Sequence, residues 1–214
     1  MKCPLCKSDD LSLFYEGENR EYYHCKVCDL VSVPHKFLES QVDEKAKYDN
    51  HKNTPKDQGY CNFLDRLLLP LQKHLKSGDS GLDFGSGPGP TLSVLMKDRG
   101  FDMDIYDIFY HDDRSVFENR YDFITSTEVI EHLSDPLFEI QRLWNCLKDG
   151  GVLGLMTAFR VEEFDSWYYK RDLTHIRFFT HKTFEWLALS LGGELLLCEN
   201  GVIIIKKSKT LHYS

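Results

Sequence analysis

The chain has 214 residues, with 34 acidic against 26 basic side chains and a formal net charge of −8; its isoelectric point is near 5.6. That balance excludes a general polyanion binder, because no excess of cations is there to displace counterions from a phosphate backbone. No apolar run approaches the ~18 residues of a membrane helix, and the N-terminus lacks the hydrophobic stretch of a signal peptide, so no membrane partner and a cytoplasmic location are expected. The length supports one sizeable core and a small satellite.

Seven cysteines are present, and four form two C-x-x-C pairs, Cys3 with Cys6 and Cys25 with Cys28. The 18 residues between the pairs fall within the spacing that lets four thiolates close around one zinc ion. Leu11–Tyr15 and Glu21–Tyr23 read as two short strands across a polar turn, so residues 1–36 are expected to be a small zinc ribbon and residues 37–214 the main domain. Four thiolates leave no open coordination position, which makes the zinc structural; free dithiols, or a ribbon without metal, are the other reading. Within 1–36 five basic residues face six acidic ones, so there is no basic face for nucleic acid.

The polar stretch from Pro34 to Tyr60, with Tyr48, His51, Asn53 and Tyr60 among charges, reads as a short helix and either a solvated connector or a loop over a ligand mouth. Tyr60 to Lys76 sets Phe63, Leu64, Leu67, Leu68, Leu71 and Leu75 on one helical face, with Pro70 inside it.

Gly81 to Pro90 reads Gly-Leu-Asp-Phe-Gly-Ser-Gly-Pro-Gly-Pro: a short strand, a glycine turn and then an amphipathic helix through Leu92, Leu95 and Met96. A dinucleotide-binding turn cradles a pyrophosphate on backbone amides. Here Pro88 and Pro90 have no amide to give, and the Asp83 carboxylate at the mouth would repel two phosphates. The turn suits a ligand without phosphates. Asp107 ends the next strand 22 residues after Gly85, near the ~20 expected for a carboxylate that accepts from ribose hydroxyls.

Together these residues resemble motif I and the acidic second-strand end of class I S-adenosylmethionine-dependent methyltransferases. The resemblance implies that Asp83, Gly85, Gly87 and Gly89 hold the methionine end of S-adenosylmethionine and that Asp107 holds its ribose. Dinucleotide binding and a plain structural turn are the competing readings. It also implies an α/β fold: a Rossmann-like, mostly parallel sheet with an antiparallel C-terminal hairpin, beside the small zinc ribbon.

Between Asp107 and the strand Tyr121–Ser126 the chain is too short for a full helix and strand, so the family's third strand is expected to be absent or reduced. Glu128-Val-Ile-Glu-His-Leu-Ser-Asp-Pro136 and Leu147-Lys-Asp-Gly-Gly151 are again similar to this family, and Glu128 is implied on the cofactor side. Asp135 and Pro136 read as the start of a helix, Lys148–Gly151 as its end, and Val152–Thr157 as a buried strand.

The aromatic stretch Ala158–Thr180 follows a strand end, where an α/β sheet collects ligand contacts. Trp167, Tyr168 and Asp172 are its substrate-side candidates, the two aromatics alternatively being core. His175 is the first candidate for a general base or for positioning the acceptor, since neutral imidazole is a base near pH 7; a structural histidine bonded to Asp172 is the alternative. His132 is the second, with a structural helix-start histidine as its alternative. Thr180 caps a last helix, and Glu194–Glu199 with Val202–Lys207 form a hairpin about Asn200-Gly201.

The leading expectation is a methyltransferase acting on a small-molecule acceptor through O, N or C. Two others stay open: an RNA methyltransferase with the ribbon as clamp, disfavoured by the charge balance, and a cofactor-binding module without turnover.

Overall fold

The computed structural model describes residues 1–50 and 53–209; His51 lies outside the described residues. β1 (Leu11–Glu16) and β2 (Glu21–Cys25) pair as an antiparallel hairpin, and β3 (Val31–Ser32) extends it. Cys3, Leu5, Cys25, Cys28 and Leu30 are buried in one apolar cluster with Leu82, Ile124, Phe179 and Phe184. The cysteine segment therefore shares a core with the rest of the chain.

α1 (Gln41–Tyr48) starts at Ser40, whose side chain accepts from the Asp43 amide, and α2 (Gln58–Gln72) starts at Asp57 in the same way. α2 buries Leu64, Leu67, Leu68 and Leu71 against the sheet. Its helical bonding stops at Gln72, two residues past Pro70 and short of Lys76, where the amides of Lys73, His74 and Leu75 turn to carbonyls three residues back.

The main sheet is built from β4 (Ser80–Phe84), β5 (Asp102–Tyr106), β6 (Tyr121–Thr127) and β7 (Leu147–Met156), with α3 (Thr91–Asp98) between β4 and β5 and α4 (Pro136–Cys146) between β6 and β7. These four strands run parallel in the order β5-β4-β6-β7. Between β5 and β6 a single 3-10 turn, Arg114–Glu118, replaces the helix and strand that a longer chain would place there; no further strand lies there among the described residues. Asp135 caps α4 with proline at its first turn. Lys148–Gly151 does not terminate α4. The helix ends at Cys146, and the Lys-Asp-Gly-Gly run is the bulged start of β7, with Gly150 at φ +80° and a register shift in the pairing with β6.

β8 (Arg177–Phe178) leaves the main sheet and pairs with β3, so the small sheet has the order β1-β2-β3-β8. α5 (His181–Ser190) follows, capped by Thr180 in a reciprocal bond with Thr183. β9 (Gly193–Glu199) and β10 (Val202–Lys207) complete the main sheet antiparallel, β10 against β7. Their turn places Asn200 and Gly201 at φ +52° and +77°, the left-handed pair that a two-residue hairpin needs. No helix of the described residues is long and apolar enough to cross a membrane.

Candidate active site

The site begins where β4 ends. Gly85 and Gly87 take φ +80° and +66°, a region closed to most side chains, and the Gly85 and Ser86 amides both donate to the Tyr106 carbonyl (2.8 and 3.1 Å). A Cβ on Gly85 would collide with Val129. Gly89 plays a different part: it does not line the cavity, and the backbone of Asn53 sits where its Cβ would be, so the glycine lets the segment before α2 close over the loop.

The Asp107 carboxylate bridges this loop and the turn after β5. Its Oδ2 accepts from the Gly87 amide (2.9 Å) and its Oδ1 from the Phe109 and Tyr110 amides (2.8 and 3.2 Å). Asp83 lies deeper, 3% exposed, and accepts from the Thr125 hydroxyl at 3.1 Å. Burial pushes its carboxyl up to about 7, with the nearby Asp107 charge adding to the effect.

These groups form one wall of a cavity of about 770 Å3, within the ~300–1,000 Å3 range of small-molecule sites. Gln41, Glu44, Lys47 and Tyr48 of α1, with Asn53 and Tyr60, cover it. The opposite wall is made by Glu128, His132 and the 172–176 segment.

Glu128 is held at φ +53°, its amide donating to the Met156 carbonyl at 2.8 Å. Glu131, one turn on, is fully buried. The Tyr169 hydroxyl donates to Glu131 Oε1 at 2.6 Å and lies 3.3 Å from both Glu128 Oε2 and the Thr157 hydroxyl. Burial raises both carboxyl pKa values, and the two carboxyls lie close enough to titrate together. His132 Nδ1 lies 3.0 Å from the Thr174 carbonyl and His175 Nδ1 2.7 Å from the Tyr169 carbonyl. A carbonyl only accepts, so each Nδ1 carries a proton, and in the neutral ring the lone pair is on Nε2. Burial, then the neighbouring His132, holds His175 down to about 4, and the two rings sit 4.8 Å apart.

Two substrate-side expectations are corrected. Trp167 stacks on Tyr169 (centroids 5.0 Å apart) inside the apolar cluster of Phe164 and Phe178, and Tyr168 is 70% exposed; neither lines the cavity. Aromatic content alone does not say which way a loop turns its rings. Asp172 does line the cavity, but its Oδ1 is bound by the amide and hydroxyl of Thr174 (2.9 and 2.7 Å), and its Oδ2 is 4.0 Å from His175 Nε2. Glu131 and Tyr169 join the site without a motif that marks them. Glu131 had a signal, its place three residues after Glu128 on one turn; Tyr169 had none, since its partner lies 38 residues away.

At the other end of the chain, Cys3 and Cys28 sulfurs lie 3.5 Å apart, Cys6 and Cys25 sulfurs 3.4 Å, and all four within 4.8 Å of one another. Zn–S bonds of ~2.3 Å set tetrahedral edges of roughly 3.8 Å, so this donor set fits one zinc ion. Both pairs end in the same local turn: Lys7 (φ +60°) donates to the Cys3 carbonyl and Asp29 (φ +62°) to the Cys25 carbonyl.

The small sheet is strapped to the wall of the cavity that carries His132 and His175 by two buried arginines. Arg20 donates to the carbonyls of Lys170, Asp172 and Leu173 and to the Tyr22 hydroxyl. Arg177 donates to those of Val33, Leu133, Ser134 and Ile176.

The methyltransferase domain family matches residues 51–196 of the chain. The ubiquinone biosynthesis O-methyltransferase of Histophilus somni (strain 2336) is 30% identical over 92 residues, 41% of this chain and 38% of that protein; the match spans little more than a third of the relative's length. Among solved structures, a protein assigned as a sarcosine dimethylglycine methyltransferase from Galdieria sulphuraria superposes with a TM-score of 0.51 at 16% identity, covering 70% of this chain and 86% of that one. A chain from the complex of the Haloferax volcanii Trm112 methyltransferase activator with a methyltransferase gives 0.51 at 10% identity, covering 82% and 100%. The two structural likenesses show the fold.

Proposed function

Because the chain belongs to the methyltransferase domain family, and with it to the class I S-adenosylmethionine-dependent methyltransferases, we propose that it methylates a small-molecule acceptor held between α1 and the His132–His175 wall. The observation that carries this reading is the cavity. It is covered by α1, and eight carboxylates line it (Glu39, Glu44, Asp83, Asp107, Glu128, Asp135, Glu139 and Asp172) against the cations Lys47 and Arg142. Such a lining opposes a phosphate backbone and suits a cationic donor. The likeness to a relative named for O-methylation in ubiquinone biosynthesis favours a small acceptor in the same way.

In this reading Asp107 accepts from the ribose hydroxyls with the lone pairs its three amide bonds leave over. Asp83 and Glu128 face the methionyl end, and Gly85 and Gly87 let the backbone approach it, while Gly89 lets the segment before α2 close over the loop. Methyl transfer is an in-line displacement at an already activated carbon, so the protein chiefly aligns the two partners and excludes water. His132 and His175 present Nε2 lone pairs to the acceptor and orient its proton-bearing group. One zinc ion on Cys3, Cys6, Cys25 and Cys28 supports the small sheet, and through Arg20 and Arg177 the wall that carries His175.

The test is S-adenosylhomocysteine release from S-adenosylmethionine in the presence of a panel of hydroxylated and amino small molecules, with total RNA as a separate arm. Turnover with a small molecule and none with RNA is expected. Methylation of RNA alone would overturn the reading.

A further inference from the structure

Three side chains of the acceptor wall converge beyond what positioning requires. Glu131, His132 and His175 each bring a potential ligand atom within 4.8 Å of the other two. Both imidazoles have Nδ1 tied to a backbone carbonyl, of Thr174 and of Tyr169, the outer-shell bond that fixes the ring and tautomer of a metal-ligating histidine. The carboxylate is the more telling member. Glu131 is fully buried, its Oε1 accepts from Tyr169, and its Oε2 has no hydrogen-bond partner. A buried carboxylate oxygen with no donor needs an explanation. No lysine or arginine supplies one: among the described residues the only ion-pair neighbour of Glu131 is His132, whose Nε2 lies 3.9 Å from Oε1. Glu128, on the cavity side, reaches the same tyrosine hydroxyl from 3.3 Å, so a second carboxylate meets the first with no cation between them.

We propose that Glu131, His132 and His175 bind a divalent transition cation whose open positions face the cavity, beside Glu128, and receive the acceptor through a hydroxyl oxygen. This rests on the methyltransferase reading of the same cavity and narrows its substrate class to hydroxyl acceptors. Two imidazoles and a carboxylate suit manganese, iron, cobalt or zinc better than magnesium or calcium. A hydroxyl bound to such a cation is more acidic than in water. Its proton leaves to solvent, the oxygen pair forms the bond to the methyl carbon, and the C–S bond breaks with its electron pair kept by sulfur. The products are a methyl ether and S-adenosylhomocysteine.

Manganese separates this site from the cysteines, because a hard cation has little affinity for thiolates. Protein brought to one zinc per chain, which the four thiolates retain in preference to an imidazole–carboxylate site, is titrated with Mn2+ while electron paramagnetic resonance follows the free ion; S-adenosylhomocysteine binding is measured by calorimetry on the same samples. One Mn2+ per chain is expected, with affinity at least ~10-fold weaker in Glu131→Gln and in His175→Ala; Glu131→Gln keeps the volume, and melting temperatures verify that both variants fold. No Mn2+ binding by the wild-type chain, or equal binding by folded variants, would overturn the proposal. Retained S-adenosylhomocysteine binding in that case shows that the cation alone has failed, whereas loss of S-adenosylhomocysteine binding by the wild-type chain tells against the methyltransferase reading itself.

Discussion

Asp107 and Gly87 meet across the glycine turn, the glycine amide donating to the carboxylate at 2.9 Å. With the Phe109 and Tyr110 amides on its other oxygen, the carboxylate is fixed before any ligand arrives. Asp107→Ala removes an acceptor for ribose and frees the turn. Hydrogen bonds to a charged group contribute about 1.5–3 kcal/mol, so calorimetric affinity for S-adenosylhomocysteine is expected to fall roughly 10- to 100-fold. Unchanged affinity would remove the ribose assignment.

Gly85 and Gly87 both sit at positive φ, but only Gly85 is crowded, by Val129. Gly87→Ala is expected to cost about 1–2 kcal/mol of left-handed strain. Gly85→Ala adds overpacking of ~1–3 kcal/mol to that. Urea unfolding of the two variants measures the difference; equal stabilities would mean that Val129 yields without cost.

Asp83 ties stability to pH. Its carboxyl is raised from 3.8 to about 7, so the native chain binds a proton that the unfolded chain releases. This contribution to stability is fully present below about pH 4 and is lost as pH rises through about 7, a change of roughly 4 kcal/mol. Asp83→Asn should be more stable than the wild-type chain at pH 8, and the gap between them should close towards pH 4. The sulfonium of S-adenosylmethionine favours the charged form, so S-adenosylmethionine affinity should rise between pH 5 and 8 in the wild-type chain and less in Asp83→Asn. Parallel profiles would exclude Asp83 as the titrating group.

Arg20 links the cysteine segment to the acceptor wall through three carbonyls of the 170–173 stretch. Metal analysis is expected to find about one zinc per chain. Chelation should lower the melting temperature and raise amide exchange around residues 158–176 as well as within 1–36. Arg20→Ala, which removes the four hydrogen bonds of a buried guanidinium, should destabilise by about 2–4 kcal/mol. Exchange confined to 1–36 would show that the two parts are not coupled.

What was legible in the sequence is what is local. The strand, glycine turn and helix at 80–98, the caps at Asp135 and Thr180, the missing strand after Asp107 and the Asn200-Gly201 hairpin each follow from a few adjacent residues whose conformational preferences agree. What was hidden depends on distant pairing. β8 is two residues long and has no period to read, yet it pairs with β3 and adds a strand from the far end of the chain to the N-terminal hairpin. Arg20 looked like one charge in a neutral segment, while its partners lie about 150 residues on. Lys148–Gly151 carries the signals of a helix end, but pairing with β6 captures the run as strand.

The most direct test of the central claim is a thermal-shift comparison of S-adenosylmethionine, S-adenosylhomocysteine, NAD and NADP, since a ligand that binds only the native state raises its melting temperature. A methyl-donor site of this kind gives a rise with the two sulfur nucleosides and none with the dinucleotides. A rise with NAD or NADP, or with none of the four, would contradict it.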